Sequence, residues 1–316
     1  MCTFAVMQQF PLVSVVLATY NGERFLEAQL DSIVHQTYPN LEVVAVDDCS
    51  TDSTVTILNR YAMRYPFVRV VVNETNLGYV RNFEKGMLLA TGNYIAPSDQ
   101  DDVWHLDKVR ILVAEIGDSE LIYADSRLID EAGNSLNMVI SDVKPVRNFD
   151  NCLAFAIWNT APGHAMLLTK ELVQKTTPFP ASLPHDHWLC FVATFFKPIR
   201  FIPQVLVDYR QHSQNVFGIT HRVDGVRRLR KEKSEGEKLR QIRERMQLLY
   251  EKCPAELIEQ KQVLARLNQS YKGFSLRNNV LRMMTFFRYR DHLMATKKRS
   301  AFRKWLFCLK MFVKIR

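Results

Sequence analysis

Three carboxylates fall within four residues of the stretch Ser98-Asp99-Gln100-Asp101-Asp102-Val103-Trp104. Like charges this close repel unless a cation or a set of hydrogen-bond donors lies among them. A hard divalent cation, held by carboxylates and by the phosphates of a substrate, suits that spacing. An acidic turn capping the next helix is the plainer alternative. Two more polar groups follow apolar runs, Thr19-Tyr20-Asn21 and Asp47-Asp48. Further on, His185-Asp186-His187-Trp188 opens an apolar helical run, and Arg210-Gln211-His212-Ser213 closes an extended one.

Strands must carry the first three clusters. Val13 to Tyr20 is a β-branched run bounded by Pro11 and Asn21-Gly22, and it reads as a buried first strand. Leu41 to Val46 is a second strand, Val68 to Val72 a third and Tyr94 to Pro97 a fourth. Helical spacing appears between them, over Glu23–Gln36, from the Ser-Thr caps at 50–54 to about Tyr65, and over Asn82–Ala90. Alternation of this kind predicts a largely parallel, Rossmann-like sheet flanked by helices. Ligands bind such sheets at the carboxyl ends of the strands, where all three polar clusters would then converge. No GxGxxG follows the first strand and no Walker loop is present, so a phosphate ligand here would rely on a metal rather than a glycine cradle. Later strands are expected at Leu121–Asp125, Gly163–Thr169 and Ile199–Tyr209, and helices at His105–Glu115 and Leu189–Phe196. Residues 141–160 carry no clear pattern.

The chain has 316 residues and 47% hydrophobic content, enough for a substantial core. Its six cysteines are scattered without a CxxC pair, which argues against a disulfide framework or a zinc site. The first ten residues lack the basic and apolar regions of a signal peptide, and no window approaches a membrane span of roughly 20 residues. The net charge of +9 hides an asymmetry: residues 221–316 carry +17 and residues 1–220 carry −8. An acidic globular part with a basic tail implies that the tail meets an anionic surface, with a boundary near residue 220.

The order and spacing of Val13–Gly22, Val46–Asp52, Asn76–Asn82 and Ser98–Trp104 resemble glycosyltransferase family 2, with its inverting enzymes of GT-A fold. The likeness covers residues 11–220, with 221–316 as a basic α-helical extension. Asp-Gln-Asp-Asp-Val-Trp, His-Asp-His-Trp and Tyr-Arg-Gln-His-Ser-Gln-Asn look most like a rhamnosyltransferase-like subgroup of bacterial polysaccharide enzymes. Cys49 departs from a position commonly Gly or Asn in the family, where a small residue is expected to be tolerated.

The resemblance implies a role for each matched residue. Thr19, Tyr20 and Glu23 would line the base and ribose pocket, and Asp48 would accept the imide N–H of uracil or thymine. Arg81 would lie near the diphosphate. Asp101 would contact ribose or metal, and Asp102 the Mg2+ or Mn2+ bridging the phosphates, with His212 as a further candidate ligand. Asp186 matches the general base, although a helix N-cap is its plain alternative. His185 and His187 would shape the acceptor site or be solvated, Trp104 and Trp188 would pack or stack on sugar, and Asp125 and Asp130 read as turn residues. The implied reaction moves a sugar, L-rhamnose from dTDP-rhamnose, to a growing, lipid-linked bacterial surface glycan, with transfer of another hexose from a UDP-sugar or a silent nucleotide-sugar-binding protein as alternatives.

The extension is dense in Arg, Lys, Glu, Leu and Gln, with helical stretches expected at Val226–Lys231 and Lys238–Tyr250. Its last segment, Phe302–Arg316, mixes aromatics with regular cations, the composition of a helix lying on anionic lipid. Packing of that helix on the catalytic part is the alternative. The expected location is the cytoplasmic face of an inner membrane, and no nucleic-acid motif is present.

Overall fold

The structure, a computed structural model, describes residues 10–212 and 234–313. The expected helix at 226–231 lies outside the described residues. The alternating half of the chain runs β1 (Val13–Thr19), α1 (Leu26–Val34), β2 (Leu41–Asp47), α2 (Thr54–Arg64), β3 (Val68–Val72), α3 (Tyr79–Leu89) and β4 (Tyr94–Ser98). There follow β5 (Val103–Trp104), α4 (Lys108–Glu115), β6 (Leu121–Ile129), β7 (Ser135–Val139), α5 (Ile140–Val143), β8 (Met166–Thr169), α6 (Lys170–Thr176), α7 (His185–Ala193) and β9 (Arg200–Arg210).

These nine strands form one sheet in the order β3-β2-β1-β4-β8-β6-β9-β5, with β7 pairing on β6. The first four pair in parallel, as the alternation requires, but the second half is mixed: β8 is antiparallel to both β4 and β6, while β9 is parallel to β6. The consequence is directional. An antiparallel β8 brings its amino end to the carboxyl end of β4, and β6 and β9 again end at that same edge. Residues before β8 and after β9 thus meet those after β1, β2 and β4.

Register fixes the rest. Thr19 lies opposite Asp47 on β2, and Leu17 lies opposite Ser98 on β4, so the three polar strand ends are level. Alternating side chains of β1 feed two cores. Val15 and Leu17 pack with Leu26, Leu30, Leu58 and Val109 on one face, and Val16 packs with Phe83 and Met87 on the other. The run at 163–169 is a strand only from Met166, because Gly163–Ala165 forms a single 3-10 turn. In the stretch without a pattern, α5 and a 3-10 turn at Cys152–Phe155 are too short to show a period.

The extension folds as α8 (Glu235–Lys252), α9 (Ile258–Tyr271), α10 (Leu276–Arg288), α11 (Arg290–Leu293) and α12 (Ala301–Lys310). A capping box between Ser234 and Glu237 starts α8. Met246, Leu249, Leu264, Phe286 and Phe307 share one continuous core with Phe155, Trp188 and Phe191. The helices therefore pack on the sheet-bearing part rather than beside it.

Candidate functional site

Thr19, at the end of β1, is buried and donates from Oγ1 to Asp47 Oδ2 at 2.8 Å. Asp47 also accepts the Ser50 N–H, so it closes the loop after β2. The next residue, Asp48, is buried as well. Its Oδ1 accepts from Asn73 Nδ2 and the Leu77 N–H, and its Oδ2 from the Gly78 N–H, each at 2.8 Å. A carboxylate has about four acceptor positions, so one remains, on Oδ2. Between Asp48 and Ser50, Cys49 has φ +67°. Backbone conformation, rather than size, is what this position selects, since Gly and Asn enter that region most readily.

Tyr20 keeps an exposed ring while its backbone is clamped by Gln100. Its N–H donates to Gln100 Oε1 at 2.8 Å, and Gln100 Nε2 donates to its carbonyl at 3.1 Å. A Cβ at Gly22 would stand 2.2 Å from Gln100 Oε1, so glycine is needed there for the clamp. Glu23 Oε2 accepts the Ser53 N–H at 2.9 Å. Arg81 is half-exposed and paired with Glu84.

The acidic stretch is divided by its own geometry. Asp101 Oδ2 lies 2.7 Å from His212 Nε2. Asp102, fully buried, turns the other way. Its Oδ1 accepts the Arg210 N–H at 3.0 Å, and its Oδ2 has no hydrogen-bond partner. His164 Nδ1 stands 3.6 Å from Asp102 Oδ2 and 3.8 Å from Asp99 Oδ2, with Ser126 Oγ at 3.0 Å from the other ring nitrogen. Buried Lys108 closes the back of this trio, donating to the His164 carbonyl at 2.6 Å with its ammonium 3.1 Å over Trp104.

Desolvation pushes Asp99 up to about 7, helped by the charges of Asp101 and Asp186. Burial, then Asp101 and Asp99, raises Asp102 well above the ordinary carboxylate range. Burial and the nearby Lys108 and Lys144 hold His164 well below its usual value, so it is a neutral imidazole. An orphaned buried carboxylate oxygen, a neutral imidazole and a second carboxylate, all within 4.8 Å of one another, fit a divalent cation's donor set. The Asp101–His212 pair fits one too. Adjacent ligands about 2.1 Å from an octahedral ion stand about 3 Å apart.

Asp186 sits in the first turn of α7, near enough for its charge to act on Asp99. Burial pushes it up to about 6 against the pull of the His187 N–H, which donates to Oδ1 at 2.7 Å, and of Lys144 and Asn159. Gly163 allows this approach, because a Cβ there would meet His185 Nε2 at 2.8 Å and Asp186 Cβ at 3.4 Å.

A family model described as glycosyl transferase family 2 matches residues 14–175, just over half of the chain. The chain belongs to glycosyl transferase family 2. It is 24% identical over 226 residues to an uncharacterized glycosyltransferase of Haemophilus influenzae, covering 67% of this chain and 69% of that one. It is 39% identical over 99 residues to a putative teichuronic acid biosynthesis glycosyltransferase, TuaG, of Bacillus subtilis, covering 31% and 39%. A relative in Rickettsia felis is matched over only 35% of its length. Among solved structures, S. aureus TarS 1-349 in complex with UDP-GlcNAc superposes with a TM-score of 0.58 at 18% identity, over 95% of this chain and 80% of that one. The mannosyltransferase PcManGT of Pyrobaculum calidifontis, in complex with GDP-Man and Mn2+, gives 0.52 at 18%, over 97% and 86%. The fold is thus that of the GT-A glycosyltransferases, and the protein is a glycosyltransferase.

In this family 2 enzyme, Tyr20, Asp48, Asp99, Asp101 and Asp102 follow the ends of β1, β2 and β4 at one edge of the sheet, where His212 meets Asp101 and the charge of Asp186 reaches Asp99. Thr19 is occupied with Asp47. His185 and His187 are buried rather than solvated: His185 stacks on Phe83 with ring centroids 4.0 Å apart, and His187 is hydrogen-bonded to the Phe155 carbonyl. Trp104 and Trp188 are core residues, Trp188 Nε1 donating to the Thr176 carbonyl at 2.8 Å. Sequence reading missed His164 and Arg210. Arg210 is buried, donates from Nε to the Asp101 carbonyl at 2.9 Å and reaches the Asp130 and Glu131 carbonyls. An arginine closing an apolar strand, two residues before a histidine of interest, was the available signal. His164 had none beyond the Gly before it.

Proposed function

We propose that this glycosyltransferase moves a sugar from a UDP- or dTDP-activated donor to a bacterial surface polysaccharide, with inversion and with a divalent cation. L-Rhamnose from dTDP-rhamnose is the specific donor suggested by the motif resemblance. A UDP-hexose is the second reading, favoured by the UDP-GlcNAc complex of the structural neighbour TarS. The polysaccharide acceptor rests on the similarity to TuaG, and a lipid-linked form of it on the basic C-terminal helices.

The observation that carries the reading is Asp186, raised to about 6 by burial in the first turn of α7 and near enough for its charge to act on Asp99 after β4. A carboxylate with that pKa is ionised at neutral pH yet basic enough to take a proton in a transition state. Asp186 takes the proton of the acceptor hydroxyl as its oxygen attacks the anomeric carbon. The bond from that carbon to the diphosphate oxygen breaks, and the nucleoside diphosphate leaves with the electron pair. Attack from the face opposite the leaving group inverts the configuration. The exposed Tyr20 ring offers a stacking face for the base. The free position on Asp48 Oδ2 would take the imide N–H, and the other carboxylate oxygen of Glu23 would meet the ribose. Asp101 and His212 would hold Mn2+ or Mg2+, with Asp102 in the deeper trio with Asp99 and His164. Bound there, the cation would offset the negative charge growing on the diphosphate. The His ligand favours Mn2+ of the two. Arg81 must leave Glu84 to meet the phosphates.

A thermal-shift screen of dTDP- and UDP-sugars with and without Mn2+ tests the proposal. A metal-dependent rise with one nucleotide class is expected. No shift with any sugar nucleotide would overturn the proposal and the silent nucleotide-sugar-binding alternative together, whereas a shift without turnover would leave that alternative standing.

A further inference from the structure

Residues 260–316 contain 15 Lys and Arg and a single acid, Asp291. Within this segment two helices in mutual contact leave apolar stripes uncovered. Leu276, Val280 and Met284 follow one another at four-residue spacing along α10. Phe302, Trp305, Leu309 and Val313 do so at three- and four-residue spacing along α12 and the turn after it. All seven are between 39% and 70% exposed. Phe287 of α10 packs edge-on to Trp305 at 6.0 Å, and Trp305 stacks on Phe302 at 6.5 Å, so the stripes adjoin.

The opposite faces of both helices are committed. Phe286 and Phe307 lie in the main core, and buried Arg282 donates to the Met311 and Ser270 carbonyls at 2.8 Å. The outward direction of the stripes is therefore fixed by the fold. Arg277, Arg288, Arg303 and Lys310 are exposed on the same two helices.

We propose that α10 and α12 together form a surface that seats this enzyme on an anionic lipid bilayer, the stripes entering the interface and the cations meeting the headgroups. Several observations choose lipid over other occupants. Aliphatic and aromatic side chains rimmed by cations match an interfacial surface, and no described helix is long and apolar enough to cross a membrane. Nucleic acid would engage the cations but leave the Leu276–Val280–Met284 stripe in water.

The surface is tied to the site. Between α11 and α12, Lys298 Nζ donates to the Asp142 carbonyl at 2.8 Å, and Lys297 Nζ lies 4.5 Å over the Trp158 ring. Asn159, the next residue, is near enough to Asp186 to lower its pKa. The proposed seating would thus hold the acceptor side of the site, where Asp186 lies, near the bilayer. That orientation deepens the lipid-linked-acceptor reading and rests on it.

Co-sedimentation of the full chain with phosphatidylcholine vesicles, with and without phosphatidylglycerol, tests the surface without donor or acceptor. The wild type should sediment with the anionic vesicles only, with a blue shift of tryptophan fluorescence. Leu276→Glu/Met284→Glu and Phe302→Glu/Trp305→Glu should each weaken partition by about tenfold or more, at unchanged thermal unfolding. Unchanged partition of the α10 pair would overturn the two-helix surface. So would equal partition onto neutral vesicles, or a concentration-dependent dimer abolished by the same substitutions. Tight binding to an RNA homopolymer with no vesicle binding would also overturn it. Donor thermal shifts on the same variants keep the readings apart. A chain that binds anionic vesicles but no sugar nucleotide retains the surface and loses the transferase proposal.

Discussion

Replacing Asp186 by Asn isolates the proton-accepting step. The change keeps an oxygen for the His187 N–H, now 2.7 Å from Oδ1, so α7 should start as before. It removes only the charge and the basicity. With a pKa of about 6, Asp186 is about nine-tenths ionised near pH 7 and about one-tenth ionised near pH 5. Wild-type kcat/KM should therefore fall about tenfold over that interval. The variant should lose about 10²- to 10⁴-fold at neutral pH, the range for general base catalysis. Asp99 should titrate lower in the variant, because the charge of Asp186 that helps to raise it is gone. Stability should move oppositely. A carboxyl whose folded pKa lies above its unfolded value of about 3.9 stabilises the fold least above the folded pKa. Removing that charge should hold or raise the melting temperature near pH 7. The assay is transfer from the nucleotide sugar identified by thermal shift, followed by nucleoside diphosphate release across about pH 5 to 8. Donor binding should survive the substitution. Retained transfer, or a wild-type profile flat between about pH 5 and 7, would refute Asp186 as the base.

Other substitutions probe the frame around it. Gly163→Ala should cut transfer by an order of magnitude or more with donor binding kept, and cost about 1–3 kcal/mol in denaturant unfolding, because the new Cβ meets His185 and Asp186. His212→Ala should abolish the Mn2+-dependent part of the donor thermal shift while His164→Ala only weakens it; the reverse order would move the cation to the deeper trio of Asp99, Asp102 and His164. Cys49→Gly should stabilise the chain by about 0.5–1 kcal/mol through relief at φ +67°, measured by chemical denaturation. Arg282→Met should destabilise by about 3–5 kcal/mol, since it strands the Met311 and Ser270 carbonyls that the guanidinium now satisfies.

Local patterns made the first half of the fold legible. β-branched runs ending in Thr19 and Asp47 and a short apolar run ending at Ser98 read as strands from composition, length and the turn residues that bound them. Their parallel order follows from the helices between them, and so does the convergence of polar ends. The second half was legible in its long strands β6 and β9, but not in its short elements or in strand direction. β5 has two residues and β8 four, too few to show a period, and residues 141–160 turn without repeating.

The sequence by itself determined the chemistry: carboxylates at strand ends, one more at a helix start, and a histidine after the last strand. Only the tertiary structure decided which carboxylate does what. Asp101 and Asp102 are adjacent in sequence and indistinguishable there, but Asp101 lies in the turn after β4 and Asp102 at the entry to β5, and their side chains take different partners. One meets His212, and the other is buried against His164 and the Arg210 N–H. His164 and Arg210 lie 62 and 108 residues from Asp102, and no local signal reports their arrival. Antiparallel β8 and parallel β9 bring them, through long-range strand pairing that no short window of residues encodes.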